Sequence, residues 1–236
     1  MPKFVPVSSN SHASLKVKED VSFSHAKTQH IVPLVIHEFA NAAHDYPIAF
    51  VKDKEVGQFR CVALLGLKPG ENVFFNEKRW QADYVPDSLK GYPFVLAADQ
   101  KVEDQQILYF DQDSDRVNEE EGLALFNDKG EATEFTTNMG NFLSDLIFKQ
   151  QQTQAFIKVL LDESLIVAQT LEVTLEGQEK FKVDGLYLFD EKAFNELSDK
   201  KFLELKKKGY LPPIYASLLS MSRVSSLIRK ANKLTS

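Results

Sequence analysis

The stretch LEVTLEGQEKFKVDGLYLFDEKAFNELSDKKFLELKKKG, Leu171–Gly209, decides the fold class, because the period of its apolar residues changes partway along. Leu171, Val173 and Leu175 alternate with polar residues, and the apolar run Phe181–Phe189 follows after Glu176-Gly177. Such a pattern predicts a β-hairpin whose turn lies at the Glu-Gly pair. From Asp190 onward the spacing is helical, through Ala193, Phe194 and Leu197, then Phe202, Leu203 and Leu205. Asp190 and Ser198 or Asp199 stand where N-caps belong, and Gly209 stands where a helix closes.

Working back toward the N-terminus, the chain is mostly strand-like. Ile48–Val51, Phe59–Leu65, Val73–Phe75, Trp80–Val85, Phe94–Ala97 and Ile107–Phe110 are short apolar runs. Pro69-Gly70 marks a turn, and Pro86–Lys90 fits one helical turn. Leu123–Phe126 reads as a strand leading into a turn at Asn127–Gly130. An N-terminal helix is expected from Pro33 through Val35, Phe39, Ala42 and Ala43, with Pro47 stopping it. Asn138 is expected to cap a helix carrying Phe142, Leu143, Leu146 and Ile147. A second helical stretch carries Phe156, Ile157, Leu160 and Leu161. After Pro212-Pro213, a last helix places Ile214, Leu218, Met221 and Ile228 on one stripe.

Strands first and helices last give the expected class: α+β, a mainly antiparallel sheet with an N-terminal helix and a cluster of C-terminal helices. Residues 1–30 are polar and weakly periodic and read as an extended arm. Residues 31–236 then form a single α+β domain. Tyr46-Pro47 and Tyr92-Pro93 each precede four apolar residues and, after one more, an Asp. We read these as two strand starts solving one problem alike, since a repeat would recur over a longer period.

Composition narrows the function classes. The 236 residues are 43% hydrophobic with 18 Phe, enough for a substantial core. Cys61 is the only cysteine, which excludes an intramolecular disulfide and a cysteine-based zinc cage. No run of 18 apolar residues occurs, so no transmembrane segment is expected. The opening residues lack the apolar stretch of a secretory signal, and the reading expects a cytoplasmic protein. Net charge is −6, but Lys200–Ser236 carries nine Lys or Arg against Glu204 alone, leaving the remainder at −14. The two parts are expected to attract each other within the fold, with no nucleic-acid partner.

The titratable motifs fail as chemistry. His30, His37 and His44 recur every seven residues. On a helix that spacing rises about 10.5 Å, too far for two ligands on one zinc. His37, Asn41 and His44 are therefore expected on a solvated face. Asp111, Asp113 and Asp115 resemble the opening of a calcium loop, but Arg116 stands where Gly is needed and Gly122 where Glu is needed. The stretch Asp99–Glu134 carries twelve acids, and its middle reads as a solvated surface loop. Cys61 lies in an apolar run and is expected to be buried. Glu38 and Asp45 can be called paired carboxylates, a pairing any helix face supplies. No phosphate-binding glycine loop or nucleophile elbow is present. No metal site and no cofactor is expected.

One segment is compositionally unusual. Phe74, Phe75, Trp80, Tyr84, Tyr92 and Phe94 fall close together, with Arg79 beside the only tryptophan. The Phe residues read as core. Arg79, Trp80 and Tyr84 fit either a core or a surface that stacks on a ligand or partner, because their polar ends need water or a bonding group.

Motifs in order along the chain resemble the bacterial SapC family. They are His30-Ile-Val-Pro-Leu, Glu38-Phe39, Ala42-Ala43 and Tyr46-Pro47-Ile48. There follow Val62–Leu67 with Gly70–Phe74, Arg79-Trp80, Tyr84-Val85-Pro86 and Tyr92-Pro93-Phe94. Later come Leu125-Phe126 with Gly130, Gly185–Tyr187 with Asp190-Glu191, and Gly209–Tyr215 with Leu218-Leu219. The resemblance implies a link to surface-layer secretion or outer-membrane systems, and carries no established active site. With no catalytic constellation in the residues, the expected function is a non-enzymatic accessory protein with a protein partner. The alternative is a small-molecule or peptide-binding or modifying enzyme with an aromatic-lined pocket.

Overall fold

A computed structural model describes residues 3–76, 79–99, 106–177 and 180–235. Its strands in chain order are β1 Phe4–Pro6, β2 Lys16–Val17, β3 Ile31–Pro33, β4 Ile48–Lys52, β5 Phe59–Leu64, β6 Phe75–Asn76, β7 Arg79–Trp80, β8 Phe94–Ala98, β9 Gln106–Asp111, β10 Val117–Asn118, β11 Leu123–Ala124, β12 Ile166–Val173 and β13 Phe181–Phe189. Its α-helices are α1 Ser9–His12, α2 Phe39–Ala42, α3 Asp87–Lys90, α4 Glu134–Asp162, α5 Glu191–Asn195, α6 Asp199–Lys207, α7 Leu211–Ser220 and α8 Val224–Thr235. Every strand pairing described is antiparallel and the helices gather toward the C-terminus, so the chain is α+β.

The chain divides into two compact units, residues 1–22 with 88–148 and residues 23–87 with 149–236. This division does not follow a boundary at residue 30. In the first unit, the sheet β1-β9-β8 and the small sheet β10-β2-β11 enclose Val17, Phe94, Phe110, Leu125 and Leu143. Residues expected as an extended arm are thus sheet members, with Val5 opposite Phe110. Asp111 is structural: its carboxylate accepts from the backbone N–H of Lys3 at 2.9 Å and from the Tyr92 hydroxyl at 3.2 Å. Of the expected N-terminal arm residues 1–2, of the acidic stretch Asp99–Glu134 residues 100–105, of the hairpin residues 178–179 and of the basic C-terminal segment residue 236 lie outside the described residues, as do residues 77–78.

The second unit is built on the sheet β12-β13-β4-β5-β3. The hairpin expected from Leu171–Phe189 is present and longer, with a register shift between Gln169 and Leu171. It joins the upstream strands through Leu186 opposite Val51. Ile48, Phe50, Ala63 and Leu64 are 0–2% exposed, which accounts for their unbroken apolar runs. Asp190 caps α5 by accepting from the Ala193 N–H at 3.0 Å, and Ser198 caps α6.

Several helix expectations are corrected. Pro33 does not open a helix but ends β3, an edge strand, where a missing N–H costs no ladder bond. The helix after it is a 3-10 turn, Ile36–Glu38, followed by α2. Asn138 caps nothing; α4 begins at Glu134, where the Thr133 hydroxyl accepts from the Thr136 N–H at 3.3 Å. The helix also runs unbroken through Gln150–Gln152, since glutamine is a good helix former. Val73–Phe75 and Trp80–Val85 shrink to the two-residue strands β6 and β7. The last helix is two, split by a 3-10 turn at Met221–Arg223. Its deeply buried stripe is Ile214, Ser217, Ser220, Leu227 and Ala231 rather than one through Leu218, Met221 and Ile228.

Candidate binding cleft

In the second unit Glu38 is a buried acid, 3% exposed. It reaches back to the start of its own 3-10 turn, accepting from the Val35 N–H at 2.9 Å. This is the carboxylate half of a capping box. Its other oxygen accepts from the Tyr84 hydroxyl at 2.9 Å and the Asp87 N–H at 2.7 Å. Burial raises the Glu38 pKa above its ordinary 4.5, against the pull of these three donors. Burial also pushes up the Tyr84 hydroxyl, and the Glu38 carboxylate adds to that shift.

Trp80 closes the same network from the other side. Its indole N–H donates to the Tyr46 hydroxyl at 2.9 Å and to the Tyr84 carbonyl at 3.2 Å. Tyr46, fully buried, donates its own hydroxyl to that carbonyl. Asp45 accepts from the Tyr84 N–H at 2.9 Å. Of the three residues singled out from the sequence, then, Trp80 is a buried structural donor and Tyr84 is half-buried and bonded to Glu38. Arg79 is exposed. The polar ends of Trp80 and Tyr84 found partners inside the protein. Cys61 is buried and its thiol pKa is raised by that burial, which keeps it protonated and unreactive.

With Glu38 facing inward, His37 of the same 3-10 turn and Ala40 of α2 are exposed, and Ile36 is half-buried. The Ile36 N–H donates to the Thr153 hydroxyl at 3.0 Å, fixing this turn against α4. Gly209 ends α6 with a positive φ of 73°, a conformation that favours glycine. The chain then turns through Tyr210 into Pro212 and Pro213 at the start of α7. The Tyr210 ring is held edge-on to Phe156, with centroids 5.1 Å apart.

These three pieces enclose a cleft of 470 Å³. Its apolar lining is Ile36, Ala40, Ala155, Pro212 and Pro213, and its polar lining is His37, Gln152, Lys208 and Tyr210. Sequence reading placed His37 correctly on an exposed face but could not see that Gln152 and Lys208 line the same cleft. No signal short of tertiary structure joins residues so far apart in the chain. Among the described residues, no group of three or more His, Cys, Asp or Glu is arranged to hold a metal.

No described helix is long and apolar enough to cross a membrane. The SapC family model matches residues 7–227. No curated protein matches the chain, and no solved structure does.

Proposed function

We propose, for a chain that belongs to the SapC family, a role as a non-enzymatic accessory protein that binds a protein partner in a bacterial surface-layer or outer-membrane system. The observation carrying this reading is the division of labour around the 3-10 turn. The groups suited to proton chemistry, Glu38, Tyr46 and Tyr84, are engaged in structural hydrogen bonds. The groups lining the cleft are suited to recognition, with apolar residues and a few polar ones. Tyr215 and Leu219, one turn apart on α7, add exposed apolar surface at 46% and 72%. The envelope setting rests on the family resemblance.

The test is photo-cross-linking in producing cells, with a benzophenone amino acid placed at Ala40 in the cleft. The expected result is one discrete adduct to an envelope or surface-layer export component. The same group at Lys129, in the first unit, should give none. No adduct at Ala40, or equal adducts at both positions, would overturn the reading.

A further inference from the structure

We propose that the cleft bordered by His37, Gln152, Lys208 and Tyr210 receives an acidic, partly apolar peptide segment of the partner. The proposal rests on the partner-binding reading above and adds the chemistry of what is bound. All four polar side chains can donate hydrogen bonds. Among the described residues none of the four side chains forms a hydrogen bond or ion pair with another protein group. Their donors are therefore free for a ligand rich in acceptors.

Charge points the same way. No carboxylate lines this cleft. The other three clefts described all carry them: Asp190, Glu191 and Glu196 in one of 710 Å³, Asp53 and Glu55 in one of 590 Å³, and Asp162, Glu163 and Glu204 in one of 140 Å³. A carboxylate-free cleft bearing a lysine stands out in a chain of net charge −6. Lys208 also borders the smallest of these clefts. There, however, Lys201 binds Glu163 at 2.5 Å and approaches Glu204 at 3.9 Å. Lys201 thus matches Glu163 and Glu204, and although Asp162 also borders that smaller cleft, among the described residues the Lys208 ammonium is in no ion pair and can meet an outside anion.

The apolar lining sets the rest of the ligand. Pro212 and Pro213 have no N–H, so the start of α7 offers few amide donors to an anion and the side chains must do that work. Their rings, with Ile36, Ala40 and Ala155, suit an aliphatic side chain. A volume of 470 Å³ lies within the ~300–1,000 Å³ of ligand pockets and takes a short segment, not a folded surface. A nucleic acid is disfavoured, because it needs a basic track with stacking rings and this cleft offers a single lysine.

Binding is measured on the full chain by fluorescence anisotropy, with a labelled six-residue peptide alternating aspartate and leucine. A serine-leucine peptide, acetate and an oligothymidylate serve as comparisons. The acidic peptide should bind about tenfold more tightly than the neutral one and weaken as salt rises. Lys208→Glu should lose about tenfold in affinity, whereas Lys129→Glu, with the same charge change in the first unit, should lose none. Unchanged Trp80 emission would certify that each variant is folded. Equal affinity for the neutral peptide, full affinity in Lys208→Glu, equal competition by acetate or oligothymidylate, or no binding at millimolar peptide would each overturn the proposal. If the Ala40 cross-link survives such a result, only the acidic-peptide claim falls. If the cross-link is also absent, partner binding at the cleft falls with it.

Discussion

Replacing Glu38 tests how the turn behind the cleft is held. Glu38→Ala removes the acceptor of three donors: the buried Val35 N–H, the Tyr84 hydroxyl and the Asp87 N–H. The orphaned Val35 N–H alone should cost about 1–3 kcal/mol. Tyr84 and Asp87 are half-buried, so water recovers part of their loss. Removing a desolvated charge offsets part of the rest, and the net cost at neutral pH should be about 3 kcal/mol. Glu38→Gln keeps one acceptor oxygen but sets its amide against one of the N–H groups, and should cost less, about 1–2 kcal/mol. The two variants separate further with pH. Burial raises the folded pKa of Glu38 above its ordinary 4.5, so the folded state binds the proton more tightly than the unfolded chain. The stability this linkage contributes is full below that ordinary value and is lost as pH rises through the raised one. The gap between wild type and Glu38→Gln should therefore be widest in acid and narrow toward neutral pH. Urea titrations across this range, followed by Trp80 emission, report on the second unit directly. A Glu38→Ala midpoint equal to wild type, or a gap that widens toward neutral pH, would refute the reasoning.

Other consequences are directly measurable. Trp80→Ala should cost about 3–5 kcal/mol, seen as a sharply lower melting temperature, because the indole is 9% exposed and its N–H is bonded to Tyr46. Unchanged stability would return Trp80 to the status of a surface residue. Deleting residues from 212 onward should leave an aggregating or strongly destabilised protein in light-scattering and thermal assays. The deletion strips fully buried Ile214, Leu227 and Ala231 from the second unit, and also the Ser220 hydroxyl that accepts from the Ile48 N–H. Cys61 should resist a thiol reagent in the native protein and react only as the chain unfolds, at a rate set by denaturant.

Features legible in the sequence were those written in neighbouring residues. The hairpin at Leu171–Phe189, the Asp190 cap and the Gly209 stop depend on period and local bonding, and each lies where reading along the chain puts it. The Thr133 cap was missed because the visible apolar run starts only at Phe142. Phe135 and Met139 nevertheless pack on the first unit's core and extend the helix backward. The stripe of the last helices was misassigned by equating apolar with buried. Ser217 and Ser220 lie inside because the Ser220 hydroxyl donates to the Ser217 carbonyl at 2.6 Å as well as accepting from Ile48. Glu38 looked like an ordinary helix-face acid, since its partners Tyr84 and Asp87 come from another part of the chain. The cleft was invisible for the same reason. Its lining is contributed by a turn, a helix and a loop that only folding brings together.

The order of strands in the second unit has a consequence for synthesis. β4 lies between β5, made just after it, and β13, made more than a hundred residues later. A ribosome adding about 5–20 residues each second leaves one edge of β4 without its neighbour for on the order of ten seconds. Meanwhile the stretch that completes the first unit, residues 88–148, is emerging. The nascent chain therefore exposes a sticky apolar strand, Ile48–Lys52, while another part of the protein is being finished. Expression at lower temperature or with holding chaperones should raise the yield of folded protein, and rare codons placed between residues 53 and 180 should lower it.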